Sequence, residues 1–173
     1  MSLIEPTFEQ AMNAAMLWCN AWEEGELSDE VLADRISDLL TSRDGARGFL
    51  VISLSSDSPL MDRLPEPLVL QLRAAGPIVI DLIVRNLSMS SAMALHHQRE
   101  GDFEKQTLSE RVATRSAELL RLMEPNEVKT RLEKMLKAAS KEKGDDVAFL
   151  NRWGYDNDQK LAIINNIFSV IEN

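Results

Sequence analysis

A chain of 173 residues, 45% apolar and 27% charged, is long enough to bury a core without metals, and its one cysteine, Cys19, excludes an internal disulfide. The net charge is −9 and sits mostly at the start, where residues 1–40 hold nine acids against one base, Arg35. An acidic first third argues against wrapping nucleic acid or anionic lipid with the whole surface.

Met1 to Glu5 reads as a frayed start. Thr7-Phe8-Glu9-Gln10 has the pattern of a capping box, in which the Thr hydroxyl accepts from the Gln amide and the Gln side chain reaches back. A helix then runs to about Glu24, with Phe8, Met12, Ala15, Cys19 and Trp22 at helical spacing, and Gly25 stops it. Ser28 caps a second helix, whose core face is Leu32, Ile36, Leu39 and Leu40.

Residues 44–56 are ambiguous between helix and strand, because Phe49-Leu50-Val51-Ile52-Ser53-Leu54 is too short for periodicity to decide. The chain offers no partner strand, and a lone strand leaves its backbone groups unpaired, so the reading favours a helix capped by Ser42 or Asp44. In that helix Gly45 and Gly48 would allow a close approach. Asp57-Ser58-Pro59 and Leu64-Pro65-Glu66-Pro67 are punctuation, and Pro67 opens a helix ending at Gly76.

Pro77 to Gln98 is the longest nearly uncharged stretch, interrupted only by Asp81 and Arg85. Apolar residues on most sides of its first half suit a helix surrounded by others. Its two charges set it short of an uninterrupted membrane span of about 20 residues, so no membrane association is expected. Gly101 closes it. Four helices are expected beyond: one from a second capping box at Thr107-Leu108-Ser109-Glu110 to Met123, one capped by Asn126, one from the Asp145-Asp146 pair to Trp153, and one capped by Asp156. The fold class is therefore all-α, an orthogonal bundle of about eight helices around 77–98. No linker divides the chain, so 1–173 reads as one domain with a soft boundary at 101–106.

Two polar lines descend the central helix. Asp81, Arg85, Ser88, Ala92, His96 and Arg99 read as a rim face. Asn86, Ser90 and His97 lie on an otherwise apolar side, and buried polar groups need partners or a ligand. Those three are the candidate lining of an interhelical pocket, with His97 as acid–base and Asn86 and Ser90 orienting; the alternative is satisfied core polars at a tight crossing. His96 and Glu100 share a face and are weak candidates for a metal, although no HExxH exists and adjacent histidines diverge by about 100°. Histidines in a last helical turn also suit the helix dipole.

Glu23, Glu24 and Glu26 form an acidic turn open to a basic protein partner, or simply a solvated one. Lys129, Arg131, Lys134, Lys137, Lys141 and Lys143 are interleaved with Glu127, Glu133 and Glu142 and lack stacking aromatics, which argues against a nucleic-acid footprint. At Arg152-Trp153-Gly154-Tyr155-Asp156, Gly and Asp punctuate two helices, while Arg152, Trp153 and Tyr155 are residue types common in binding hot spots. No phosphate loop, dinucleotide fingerprint or nucleophile elbow is present, and no cofactor is expected.

Through Arg85-Asn86-Leu87-Ser88-Met89-Ser90-Ser91-Ala92-Met93 and Phe149-Leu150-Asn151-Arg152-Trp153-Gly154-Tyr155-Asp156, the chain resembles a group of small uncharacterised proteins found in cyanobacteria. The resemblance implies a cytoplasmic helical protein and assigns no activity or functional residue. One cysteine and no secretory signal point the same way. The leading functional expectation is a non-enzymatic protein-interaction or regulatory module with an unidentified protein partner. The alternative is a small-molecule binder or enzyme using the central-helix pocket. The broad apolar face of the last helix also suggests a homo-oligomer.

Overall fold

The computed structural model describes residues 5–172, so the expected frayed start lies outside the described residues except for Glu5. Among the described residues the fold is all-α, with no strand. The helices are α1 (Phe8–Glu23), α2 (Asp29–Leu39), α3 (Arg43–Ser55), α4 (Glu66–Ala75), α5 (Pro77–Arg99), α6 (Phe103–Leu122), α7 (Pro125–Lys141), α8 (Asp146–Trp153) and α9 (Asn157–Ile171), with a 3-10 turn at Pro59–Asp62. The chain divides into two compact units, the first ending at Leu82 and the second starting at Ile83, a division that falls inside α5. Residues 101–106 lie within the second unit.

In the first unit α1 packs along α3, and α2 packs on α4. The expected capping box starts α1: Gln10 N donates to Thr7 Oγ1 at 3.1 Å, and Thr7 N donates to Gln10 Oε1 at 2.9 Å. Ser28 and Ser42 cap α2 and α3 through the amides of Val31 and Gly45. The ambiguous 44–56 segment is thus helical. Its fit against α1 depends on Gly48, where a Cβ would stand 2.5 Å from the Ala11 Cβ and 2.9 Å from the Met12 nitrogen. Phe49, Leu50 and Leu54 are fully buried on the same helix. Arg43 Nη2 reaches Asp81 Oδ2 at 2.7 Å, which engages one of the two charges in the apolar stretch.

In the second unit α7 and α6 both pack on α9, and α7 carries α8. Two helix caps differ from the sequence expectation, in each case because a carboxylate further upstream takes the cap. Asp102 Oδ1 accepts from Lys105 N at 3.1 Å, so α6 starts a turn before Thr107, whose hydroxyl instead donates to Phe103 O at 2.9 Å. Glu124 accepts from the amides of Asn126 and Glu127, displacing Asn126 as the cap of α7. At α8 the expected cap does not form: Asp145 stands at the N-cap without a side-chain cap bond, and the carboxylate of Asp146, in the first turn, is held by Arg131.

The first polar line of α5 is not a solvated rim along its length. Ser88 and Ala92 are fully buried, Ser88 Oγ donates to Val84 O at 2.9 Å, and the Arg85 guanidinium lies 5.0 Å from the centre of the Phe149 ring. Small residues in mid-line permit close burial that larger polar ones would not. By length and composition α5 is long and apolar enough to cross a membrane, since two charges in 18 residues still pass that measure, and 56% of its most apolar window is buried inside the fold. Burial of that kind is what the core helix of a helical fold also shows.

Candidate binding groove

On α5, Ser91, Ala94, Leu95 and Gln98 follow an i, i+3, i+4, i+7 spacing and therefore share one face. On α6 the matching stripe is Gln106, Glu110, Ala113, Thr114, Ala117 and Arg121, and on α9 it is Ala162, Asn166 and Ser169. These faces enclose a groove of about 420 Å³ within the second unit. That volume falls inside the ~300–1,000 Å³ range of small-ligand sites. Four alanines supply small side chains, and larger polar side chains rise around them.

The walls are tied before anything binds. Asn166 Nδ2 donates to Ser91 Oγ at 2.6 Å, and Ser91 Oγ donates onward to Leu87 O at 2.6 Å. Arg121 Nη2 donates to Ser169 O at 3.0 Å, and Gln106 Nε2 donates to Glu110 Oε1 at 2.9 Å. Deeper in, Gln159 Nε2 donates to the Ala92 carbonyl at 3.2 Å, joining the start of α9 to α5. The same Gln159 completes a capping box with Asp156. Asp156 also receives Arg99 Nη1 at 2.6 Å, and Asp158 receives Arg99 Nη2 at 3.3 Å. The hydrogen bond from Arg99, then the one from the Gln159 amide, holds the Asp156 carboxyl below the usual aspartate range.

The lining contains hydroxyls, amides, one carboxylate and one guanidinium, and no histidine, cysteine or lysine. These groups suit binding by hydrogen bonds and charge. Arg121 also borders an apolar recess of about 290 Å³ lined by Leu120, Met123, Val128, Leu132 and Val170, with Lys129 beside it.

The expected pocket residues lie elsewhere on α5. Ser90 is buried, and its Oγ donates to Asn86 O at 2.6 Å and Leu87 O at 3.2 Å. Asn86 and His97 are half-buried. At 100° per residue, this side is turned roughly 100° from the face carrying Ser91 and Gln98. His96 and Glu100 are exposed at the end of α5, and the His96 and His97 rings meet edge-on with centroids 5.4 Å apart. Among the described residues no group of three or more His, Cys, Asp or Glu side chains is placed to hold a metal.

Glu23, Glu24 and Glu26 are exposed at the α1–α2 turn, which the Trp22 Nε1 donation to Asp29 Oδ1 at 2.7 Å pins. Arg152 and Trp153 are exposed, with the guanidinium 5.5 Å from the indole centroid, and Gly154 adopts the left-handed conformation that ends α8. Tyr155 is buried, and that burial pushes its hydroxyl up to about 12. Sequence reasoning passed over Gln98, Glu110, Arg121 and Asn166. One available signal was Asn166, a polar residue inside the broad apolar face of α9; another was the Ala113–Ala117 pair at i,i+4.

No curated protein and no solved structure matches the chain. The profile of the family described as Uncharacterised conserved protein UCP020893 matches residues 7–170, nearly the whole chain, and the protein belongs to that family.

Proposed function

We propose that the protein is a non-enzymatic interaction module that docks a protein partner through the α8–α9 corner. The observation behind this reading is Trp153, left 49% exposed with Arg152 stacked over it. Gly154 and Asp156 account for the helix stop and the next cap, so nothing in the corner's punctuation requires a tryptophan there. Trp and Arg together are the side chains most enriched where binding energy concentrates. The exposed Glu23, Glu24 and Glu26 add a negative surface that would speed and orient a basic partner. Arg131 is engaged with Asp146, which thins the basic run on α7 and favours a protein over a nucleic acid as partner.

A cytoplasmic setting and kinship with cyanobacterial helical proteins belong to the same reading, supported by the single cysteine and by the Arg152–Asp156 corner. So does self-association through α9, where Leu161, Phe168 and Ile171 are exposed. Affinity capture with the wild-type chain, Trp153→Ala and the Glu23→Lys/Glu24→Lys/Glu26→Lys triple variant tests the proposal. The expected result is a specific partner whose recovery falls about tenfold with Trp153→Ala, the scale of a hot-spot truncation. Identical capture by all three proteins would remove it.

A second reading, a small-ligand binder built on α5, is favoured by the groove of α5, α6 and α9. Its polar set is Ser91, Gln98, Glu110, Arg121 and Asn166.

A further inference from the structure

We propose that the groove of α5, α6 and α9 binds a short zwitterionic peptide, with its ammonium at Glu110 and its carboxylate at Arg121. This deepens the small-ligand reading and is independent of the Trp153 corner.

The argument begins with charge. Glu110 and Arg121 both line the groove, and among the described residues neither has an oppositely charged partner within ion-pair distance. Glu110 keeps one oxygen beyond the Gln106 bond, and Arg121 keeps donors beyond the Ser169 bond. They stand eleven residues apart on one helix, about 16 Å at 1.5 Å per residue. Their side chains can lean inward and shorten that span. A free amino acid, whose two charges sit on neighbouring carbons, cannot reach both. An extended peptide of three or four residues measures roughly 10–13 Å.

Hydrogen-bonding capacity fits the same ligand. The side-chain amides of Gln98 and Asn166 each offer a donor and an acceptor, as a peptide backbone requires. Ala94, Ala113, Ala117 and Ala162 let a backbone approach closely. The bonds of Asn166 to Ser91 and of Arg121 to Ser169 hold the walls in place, which lowers the ordering cost of binding.

The test is a titration of the isotopically labelled full chain with tetra-alanine, read by amide chemical shifts, with calorimetry for affinity. Three ligands are compared: the free peptide, its N-acetylated form and its C-amidated form. Saturable shifts at Ala113, Ala117 and Asn166 are expected with the free peptide. N-acetylation and Glu110→Gln should each weaken binding about tenfold, and the two together little more than either alone. C-amidation and Arg121→Gln should behave likewise at the other end, with Arg121→Lys retaining part of the affinity. Absence of saturable shifts in the wild-type chain would overturn the proposal. So would sensitivity to C-amidation alone, which would indicate a protein's C-terminal tail in place of a free peptide. Either failure leaves the Trp153 reading untouched, because partner capture does not involve the groove.

Discussion

Arg131 grips Asp146 with both ends of its guanidinium, Nη1 to Oδ2 at 2.7 Å and Nη2 to Oδ1 at 2.8 Å. The pair joins α7 to the first turn of α8, with side chains only 15% and 8% exposed. Removing Arg131 leaves the Asp146 carboxylate stranded in a poorly solvated place. Arg131→Met should therefore cost about 3 kcal/mol in urea unfolding, and the double variant Arg131→Met/Asp146→Ala should recover part of it. A double variant no more stable than Arg131→Met would show that the pair is solvated and weak.

Gly48 is a point of close approach between α1 and α3. A Cβ there meets the Ala11 Cβ at 2.5 Å and the Met12 backbone nitrogen at 2.9 Å, so a side-chain adjustment alone cannot relieve it. Gly48→Ala should gain helix propensity yet lose about 1–3 kcal/mol through forced separation of the helices. Thermal melting measures the sign directly, and an unchanged or higher Tm would contradict the packing described for α1 and α3.

Acid should loosen the junction of α5 and α9. The Asp156 carboxyl is held below its ordinary range, chiefly by Arg99. Its contribution is therefore present above the ordinary aspartate pKa of about 4 and is lost as pH falls through the lower folded value. Asp156→Asn keeps an acceptor for the cap and removes the ion pair. The variant should show a shallower loss of stability below about pH 4 than the wild type. An unchanged acid profile would mean that Arg99 contributes nothing there.

Alkali acts on the other unit as well. Burial, then the charge of Glu23, pushes the Cys19 thiol up to about 11, and burial pushes Tyr155 to about 12. Both groups hold their protons more tightly when folded, so their contribution is full below the ordinary values and is lost as pH rises towards 11 and 12. A thiol-specific reagent at pH 8 should label Cys19 at the rate of unfolding, far more slowly than free cysteine. Fast native labelling would show that α1 does not bury the sulfur.

Much of the local architecture is legible in the sequence, because capping acts over three or four residues. The Thr7–Gln10 box and the Asp156 cap of α9 are of this kind. The helical state of α3 follows from a longer argument, the lack of a partner strand. The missed starts at Asp102 and Glu124 came from carboxylates a few residues upstream of plausible hydroxyl or amide caps, where only geometry chooses. The Asp145-Asp146 pair reads as a cap, although Asp145 makes no side-chain cap bond and Arg131, fifteen residues from Asp146, claims the second carboxylate. The groove was less accessible still. It depends on how α5, α6 and α9 are rotated about their own axes, and the polar line chosen from sequence, Asn86, Ser90 and His97, is about 100° from the one the structure opens.

The most direct test of the interaction account is partner capture with Trp153→Ala, run beside a melting curve. The substitution removes an exposed ring, so the fold should hold within about 0.5 kcal/mol while recovery of a specific partner drops about tenfold. Unchanged recovery from a protein of unchanged stability would contradict the assignment of the α8–α9 corner as the docking site.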